Sequence, residues 1–342
     1  MIEPRALLAE AERAFAAALT GDVPDAGFVV AGRTVVLRFA TAAAAERLTP
    51  AFAHLEPATP DAVADLTICA WDDASSGVAL AEPATGMTGP GLVYAGGPIR
   101  VAWDIQTRNL QALDLDRRLA FFRYPDLATL PAWEEAAPFR RILHWWTTGL
   151  GLQLVHGAAV GTDDGAVLLV GQGGSGKSTT ALACVGSALS YLGDDYCLVE
   201  PGPTPRVHAI FGSGKADAGS IALLPRLAPA FRATRLIDGP KRIVFVHDHF
   251  PDAFRRSLPL RAIVVPKIAP GSVSRLEPLG RAETLRALAP STLFQVPGDQ
   301  AASFARMSAL IRDLSCWRLF VGGSPESAQP LIADLLAGSV RR

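Results

Sequence analysis

The residues best placed to do chemistry form one run, Gly171-Gln172-Gly173-Gly174-Ser175-Gly176-Lys177-Ser178-Thr179, directly after the apolar stretch 166–170. Small residues at 171, 173, 174 and 176 let the backbone turn tightly, so several N–H groups converge on one anion. A helix starting near Lys177 adds its positive end. Lys177 supplies a point charge for β- and γ-phosphates, and Ser178 offers the hydroxyl that Mg²⁺ takes as an oxygen ligand. Strand, G-x-x-x-x-G-K-[ST] and helix in that order separate a phosphate-binding loop from an ordinary glycine-rich turn. The spacing therefore predicts that Gly171, Gly173, Gly174, Ser175, Gly176, Lys177, Ser178 and Thr179 hold a nucleoside triphosphate and its Mg²⁺.

Two adjacent carboxylates, Asp194 and Asp195, follow a short predicted strand at 189–192, one helix beyond the loop. Phosphoryl transfer needs one group on the metal and another that orients or deprotonates the attacking nucleophile, and neighbouring aspartates can divide those roles. Their repulsion and any burial would raise the pKa of one of them, which suits a base. His156 closes a predicted strand at 152–155; taken alone, a histidine there is an ordinary packing or surface residue. The chain has 32 basic residues, yet its only lysines are Lys177, Lys215, Lys241 and Lys267. Lys215 and Lys241 fall where loops meet regular elements and are expected to contact nucleotide or substrate phosphate, with Lys267 behind them. His247-Asp248-His249 has no third histidine or cysteine nearby and reads as a surface strand end.

Neither an Asn-Lys-x-Asp guanine-reading motif nor a Leu-Ser-Gly-Gly-Gln signature occurs, which disfavours GTPases and transporter ATPases and leaves kinases. A net charge of −1 and a pI near 6.6 give no general attraction to nucleic acid. No apolar stretch approaches the roughly 20 residues of a spanning helix, and no charged-then-apolar segment opens the chain. Four cysteines without metal-type spacing fit a reducing compartment. The expectation is a cytoplasmic protein with no membrane and no nucleic-acid partner.

The elements that must position these groups fall into two predicted domains. Residues 1–136 read as a smaller α+β domain: a helix at 5–19, then strands at 28–30, 34–39, 66–71, 91–94, 99–103 and 119–123. They carry no catalytic constellation, so substrate docking and packing both remain open as roles. Residues 137–342 read as an α/β phosphate-loop domain, opened by a helix at 138–150. The turn 162–165 is expected to pair the strand 152–155 with the strand leading into the loop. The loop helix is expected to run to about 188. Further strands are predicted at 242–246, 260–265 and 316–321, and helices at 281–289, 300–313 and 324–336.

His156, the loop 171–178 and Asp194-Asp195 resemble, in order and spacing, the HPr kinase/phosphorylase family, whose catalytic domain is similar to the phosphoenolpyruvate carboxykinase core. The match spans roughly 138–200. The resemblance implies an ATP- and Mg²⁺-dependent serine/threonine-type kinase. In it Lys177 neutralises the transferred phosphoryl group, Ser178 and Asp195 hold Mg²⁺, and Asp194 takes the hydroxyl proton with His156 beside it. The stretch Val207 to Asp217 lacks the family's glycine-rich acidic signature, so the resemblance does not extend to the carrier protein HPr as substrate or to phosphorolysis. It lies closer to HPr-kinase-like proteins of lasso-peptide and other modified-peptide pathways, which makes a peptidyl or protein hydroxyl the leading acceptor. Relatives often form homo-oligomers. A small-molecule kinase of the shikimate or gluconate type and a non-catalytic nucleotide-dependent regulatory protein are the alternatives.

Overall fold

Every residue of Gly165–Leu169, the strand leading into the phosphate loop, is buried. Unbroken burial of this kind arises when a strand is covered on both faces. The computed structural model describes residues 3–19, 21, 23–59, 63–82, 91–94, 96–232, 241–295 and 299–340. The chain forms two compact units, one of Met1–Pro50 and Leu55–Gly149, the other of Ala51–His54 and Leu150–Arg342.

The first unit is built on an eight-stranded mixed sheet ordered β3-β1-β2-β4-β8-β7-β6-β5. Its strands are β1 (Ala26–Val30), β2 (Arg33–Phe39), β3 (Glu56–Pro57), β4 (Leu66–Asp72), β5 (Gly91–Tyr94), β6 (Ile99–Asp104), β7 (Leu110–Asp114) and β8 (Leu119–Tyr124). Helices α1 (Pro4–Ala18), α2 (Ala42–Leu48), α3 (Asp73–Ser76), α4 (Ala132–Glu135) and α5 (Arg140–Gly149) accompany it. Helix α1 starts at Pro4, whose missing N–H would have no partner there anyway, and buries Leu7, Leu8, Ala11, Phe15 and Ala18 on one stripe. Strand β7 is absent from the sequence reading. Helix α5, read as the lead-in to the second domain, packs here on β7.

The second unit carries β9 (Gln153–His156), β10 (Ala158–Thr162), β11 (Gly165–Leu169), β12 (Ser190–Gly193), β13 (Tyr196–Glu200), β14 (Arg206–His208), β15 (Ser213–Asp217), β16 (Lys241–Phe245), β17 (Ser257–Ile268), β18 (Arg275–Pro278) and β19 (Ser315–Val321). Its helices are α6 (Lys177–Ala183), α7 (Ala218–Ala222), α8 (Arg281–Gln295), α9 (Gln300–Asp313) and α10 (Ala328–Leu336). The main sheet runs β12-β10-β11-β17-β14-β13-β9, with β19 and β18 continuing from β17. Strands β11, β17 and β19 are parallel, so their carboxyl ends lie on one edge, where open α/β sheets bind ligands. Val167, Leu169, Val264 and Leu319 pack with Ala181 and Leu182 of α6 and Ile332 of α10, each removing apolar surface from water.

Three expectations are corrected. The turn at 162–165 joins β11 to β10, not to the strand ending in His156; β9 pairs antiparallel with β13. The small residues of 158–162 carry little strand signal, but all except Thr162 are buried. The loop helix ends at Ala183, where bonds from Val185 N to Leu182 O and Ser187 N to Cys184 O tighten the chain and Gly186 takes φ 73°. Residues 213–217, read as part of a glycine-rich loop, are the strand β15, paired with β16. The four cysteines are buried free thiols. Among the described residues, no helix is long and apolar enough to cross a membrane.

Candidate functional site

The glycine-rich loop 171–176 leaves β11 and enters α6 through Gly176, at φ 98°. A side chain there would be strained by that backbone and would press on Ile268 at 3.2 Å, so glycine at this position follows from geometry. Lys177 is the first residue of α6 and is buried. Its Nζ donates to the carbonyls of Gly171 at 2.7 Å and Gln172 at 3.2 Å. Burial pushes its pKa down, an effect that the charges of Asp194 and Asp195 oppose.

The two carboxylates sit in the turn from β12 to β13. Gly193 has φ 155°, Asp195 is left-handed at φ 63°, and Tyr196 N bonds back to Asp194 O at 2.7 Å. Aspartate tolerates the left-handed region better than most residues, yet a non-glycine residue held there is a mark of functional sites. The turn sends the two side chains into different surroundings. Asp194 is 1 % exposed; its Oδ2 accepts from Lys215 N at 3.3 Å, while its buried Oδ1 has no hydrogen-bond partner. Burial, then the charge of Asp195, raises its pKa, with Ser178 beside it easing that shift. Asp195 pairs with Lys215 Nζ and lies 3.6 Å from His156 Nε2. Burial would raise its pKa too, but the Lys215 ammonium and then His156 hold it well below the usual carboxylate range.

His156 therefore stands beside Asp195, whereas the resemblance places it beside Asp194. The pairing follows from the register in which Tyr196 lies opposite His156 across β13 and β9. Thr292 Oγ1 on α8 accepts from His156 N at 3.1 Å, and His156 Nδ1 is buried without a partner.

One small cleft of about 120 Å³ gathers Gly173, Gly174, Ser175, Gly176, Lys177, Ser178, Thr179, His156, Asp195, Lys215 and Lys241. Gly171 lies behind it as an acceptor for Lys177, and Asp194 lies beneath it. Sequence reasoning missed Asp217 and Ser220, which also line the cleft. Asp217 caps α7 by accepting from Ser220 N at 2.8 Å, and Ser220 Oγ accepts from Thr179 Oγ1 at 3.2 Å. An Asp three residues before a Ser at a helix start was the available signal. Nothing in the sequence points to Thr292, which reaches His156 from 136 positions away. His247 lies in a 3₁₀ turn at Val246–Asp248, away from these groups.

The residues fit a magnesium–triphosphate. Mg²⁺ is commonly held by one or two carboxylates and substrate phosphates, all through hard oxygen. The Ser178 hydroxyl and the unpartnered Asp194 Oδ1 are such donors, side by side at the head of α6. Among the described residues, no cluster of three or more His, Cys, Asp or Glu side chains is arranged to hold a metal.

No family model and no curated protein matches the chain. Among solved structures it is similar to the Hpr(Ser) kinase/phosphatase from Coxiella burnetii, at 14% identity, over 55% of this chain and 95% of that one, with a TM-score of 0.27.

Proposed function

We propose that the protein is an ATP- and Mg²⁺-dependent kinase that transfers the γ-phosphoryl group to a serine or threonine hydroxyl of a peptide or protein. The observation that carries this reading is the cluster Asp195–His156–Lys215 in the same cleft as Lys177 and Ser178. Loop N–H groups and Lys177 bind the triphosphate. When bound, Mg²⁺ supplies charge neutralisation on the β- and γ-oxygens.

The geometry favours dividing the aspartates opposite to the resemblance. Asp194, buried with a free oxygen beside Ser178, would hold the metal with it. Asp195, kept ionised by Lys215 and His156 and facing the cleft, would accept a hydrogen bond from the acceptor hydroxyl and orient its oxygen toward phosphorus. The new O–P bond forms as the bond to the bridging β,γ-oxygen breaks, the hydroxyl proton passes to an Asp195 oxygen, and ADP leaves. A strongly basic carboxylate is not needed, because in a loose transition state positioning and charge neutralisation supply most of the acceleration. Lys215 would also lie against the transferred group, and Lys241, across the strand pair from Asp217, would serve the far end of the phosphate chain.

Incubation with γ-labelled ATP, Mg²⁺ and serine- or threonine-containing peptides, followed by mass spectrometry, tests the reading. A phosphopeptide formed by the wild type and lost in Lys177→Ala is expected. Label found only on a metabolite would replace the peptide acceptor by a small molecule, and absence of nucleotide binding would refute the reading.

A further inference from the structure

A larger cavity of about 540 Å³ borders the same loop and shares Gly174 and Ser175 with the cleft. Lys267 at the end of β17, Arg286 on α8 and Arg318 on β19 face it, with Glu283 as the one carboxylate in its lining. Arg318 Nη2 lies 3.4 Å from Glu283 Oε1, so Lys267 and Arg286 remain as excess positive charge. Lys267, one of only four lysines and expected to stand behind Lys215 and Lys241 at the phosphates, lines this cavity and not the cleft, and none of these side chains has a part in the chemistry above.

Two groups line the cleft: Asp195 with His156 and Lys215, and Thr179 bonded to Ser220 with the cross-strand pair Asp217–Lys241. With Lys177 on the β- and γ-phosphates and Asp195 at the γ end, the nucleoside runs toward Thr179 and Ser220. The cationic cavity borders Gly171 and Gln172 and does not include Thr179 or Ser220. Helix α8 links it to the reactive end, because Arg286 faces the cavity and Thr292 holds the backbone of His156. Six residues of helix separate them, about 9 Å.

We infer that this cavity reads an acidic side chain of the acceptor, making the substrate an acidic peptide. The inference rests on the kinase reading. An extended chain rises about 3.3 Å per residue, which places the Asp or Glu about three residues from the accepting Ser or Thr. Lys267 and Arg286 meet that carboxylate as point charge and planar fork.

Positional-scanning serine and threonine peptides, assayed with Mg²⁺–ATP against wild type, Arg286→Glu and Lys267→Glu/Arg286→Glu, test this. The wild type is expected to prefer Asp or Glu about three residues from the acceptor by roughly tenfold, in the range of a charge pair at a binding interface. The double variant should lose that preference or turn it toward Lys and Arg, with KM for ATP and turnover of a neutral peptide unchanged. Phosphorylation without acidic selection, or selection that survives in the double variant, overturns the inference and leaves the kinase reading intact. A rise in KM for ATP in the variants also overturns it, by assigning the cavity to the nucleotide. If the wild type binds Mg²⁺–ATP yet labels no peptide, the peptide acceptor falls and the inference falls with it.

Discussion

Each unit of the molecule pairs a largely buried cation with an aspartate, and the two pairs are finished differently. In the first unit Arg123, 2 % exposed, meets Asp73 with Nε at 2.8 Å and with Nη2, gives Nη1 to the Arg108 carbonyl, and lies 5.5 Å from the Trp103 ring centre. All three guanidinium nitrogens are engaged. In the second unit Lys215 meets Asp195, but the neighbouring Asp194 keeps a buried oxygen without a partner, His156 keeps a bare Nδ1, and Asp195 holds a left-handed backbone. A buried charge that serves the fold is satisfied within the protein. On the proposed reading, the buried charge left incomplete beside the glycine-rich loop is one that a ligand completes.

The largest effect that would break this contrast is catalytic. Asp195→Asn should lower phosphoryl transfer by about 10³-fold or more while ATP affinity changes little, read by single-turnover kinetics and calorimetric binding. Near-normal transfer would remove Asp195 from its proposed role. Next come the cations. Lys215→Met strands the Asp195 charge and should destabilise the second unit by about 3–5 kcal/mol, and Arg123→Met should do the same to the first. The two should differ in function: folded Arg123→Met protein keeps its transfer rate, and Lys215→Met loses it. Denaturant melts combined with rates per folded molecule would separate them.

A smaller effect has the opposite sign. Asp194 has a folded-state pKa raised above its unfolded value, so its contribution to stability is present below pH 3.8 and is lost as pH rises through the folded value. Asp194→Asn removes that loss. The ligand-free variant should be about 0.5–2 kcal/mol more stable than wild type at neutral pH, with the gap closing as pH falls toward the unfolded carboxylate value. Asp195 works the other way. Its stabilisation is present above pH 3.8 and lost only as pH falls through its lowered folded value. Denaturant melts of wild type and Asp194→Asn between pH 4 and 7 check the first sign, and melts of wild type and Asp195→Asn carried below pH 3.8 check the second.

The loop was legible because its residues are contiguous: seven in a row from Gly173 to Thr179, with Lys177 at the head of α6, line the cleft. Asp194 and Asp195 were legible as a pair but not in their surroundings, because the left-handed turn at Asp195 sends the two side chains to different neighbours. His156 could be placed near the pair by order along the chain, yet its partner depends on β9 pairing with β13 instead of with the adjacent hairpin. Strand β10, rich in Ala and Gly, carries no alternation to read, and Thr292 joins the site through a contact with no local trace. In the first unit single strands were legible from their β-branched runs, but the parallel pairing of β2 with β4 and β4 with β8 is a long-range property.

The most direct test is a thermal melt of wild type and Asp194→Asn, each alone, with ATP, and with ATP plus Mg²⁺. If the unpartnered Asp194 oxygen is reserved for a metal–nucleotide, ligand-free Asp194→Asn melts above wild type. Adding Mg²⁺ to ATP then raises the melting temperature of wild type but not of the variant. A variant that melts below wild type, or that keeps the full Mg²⁺-dependent increment, would contradict the account.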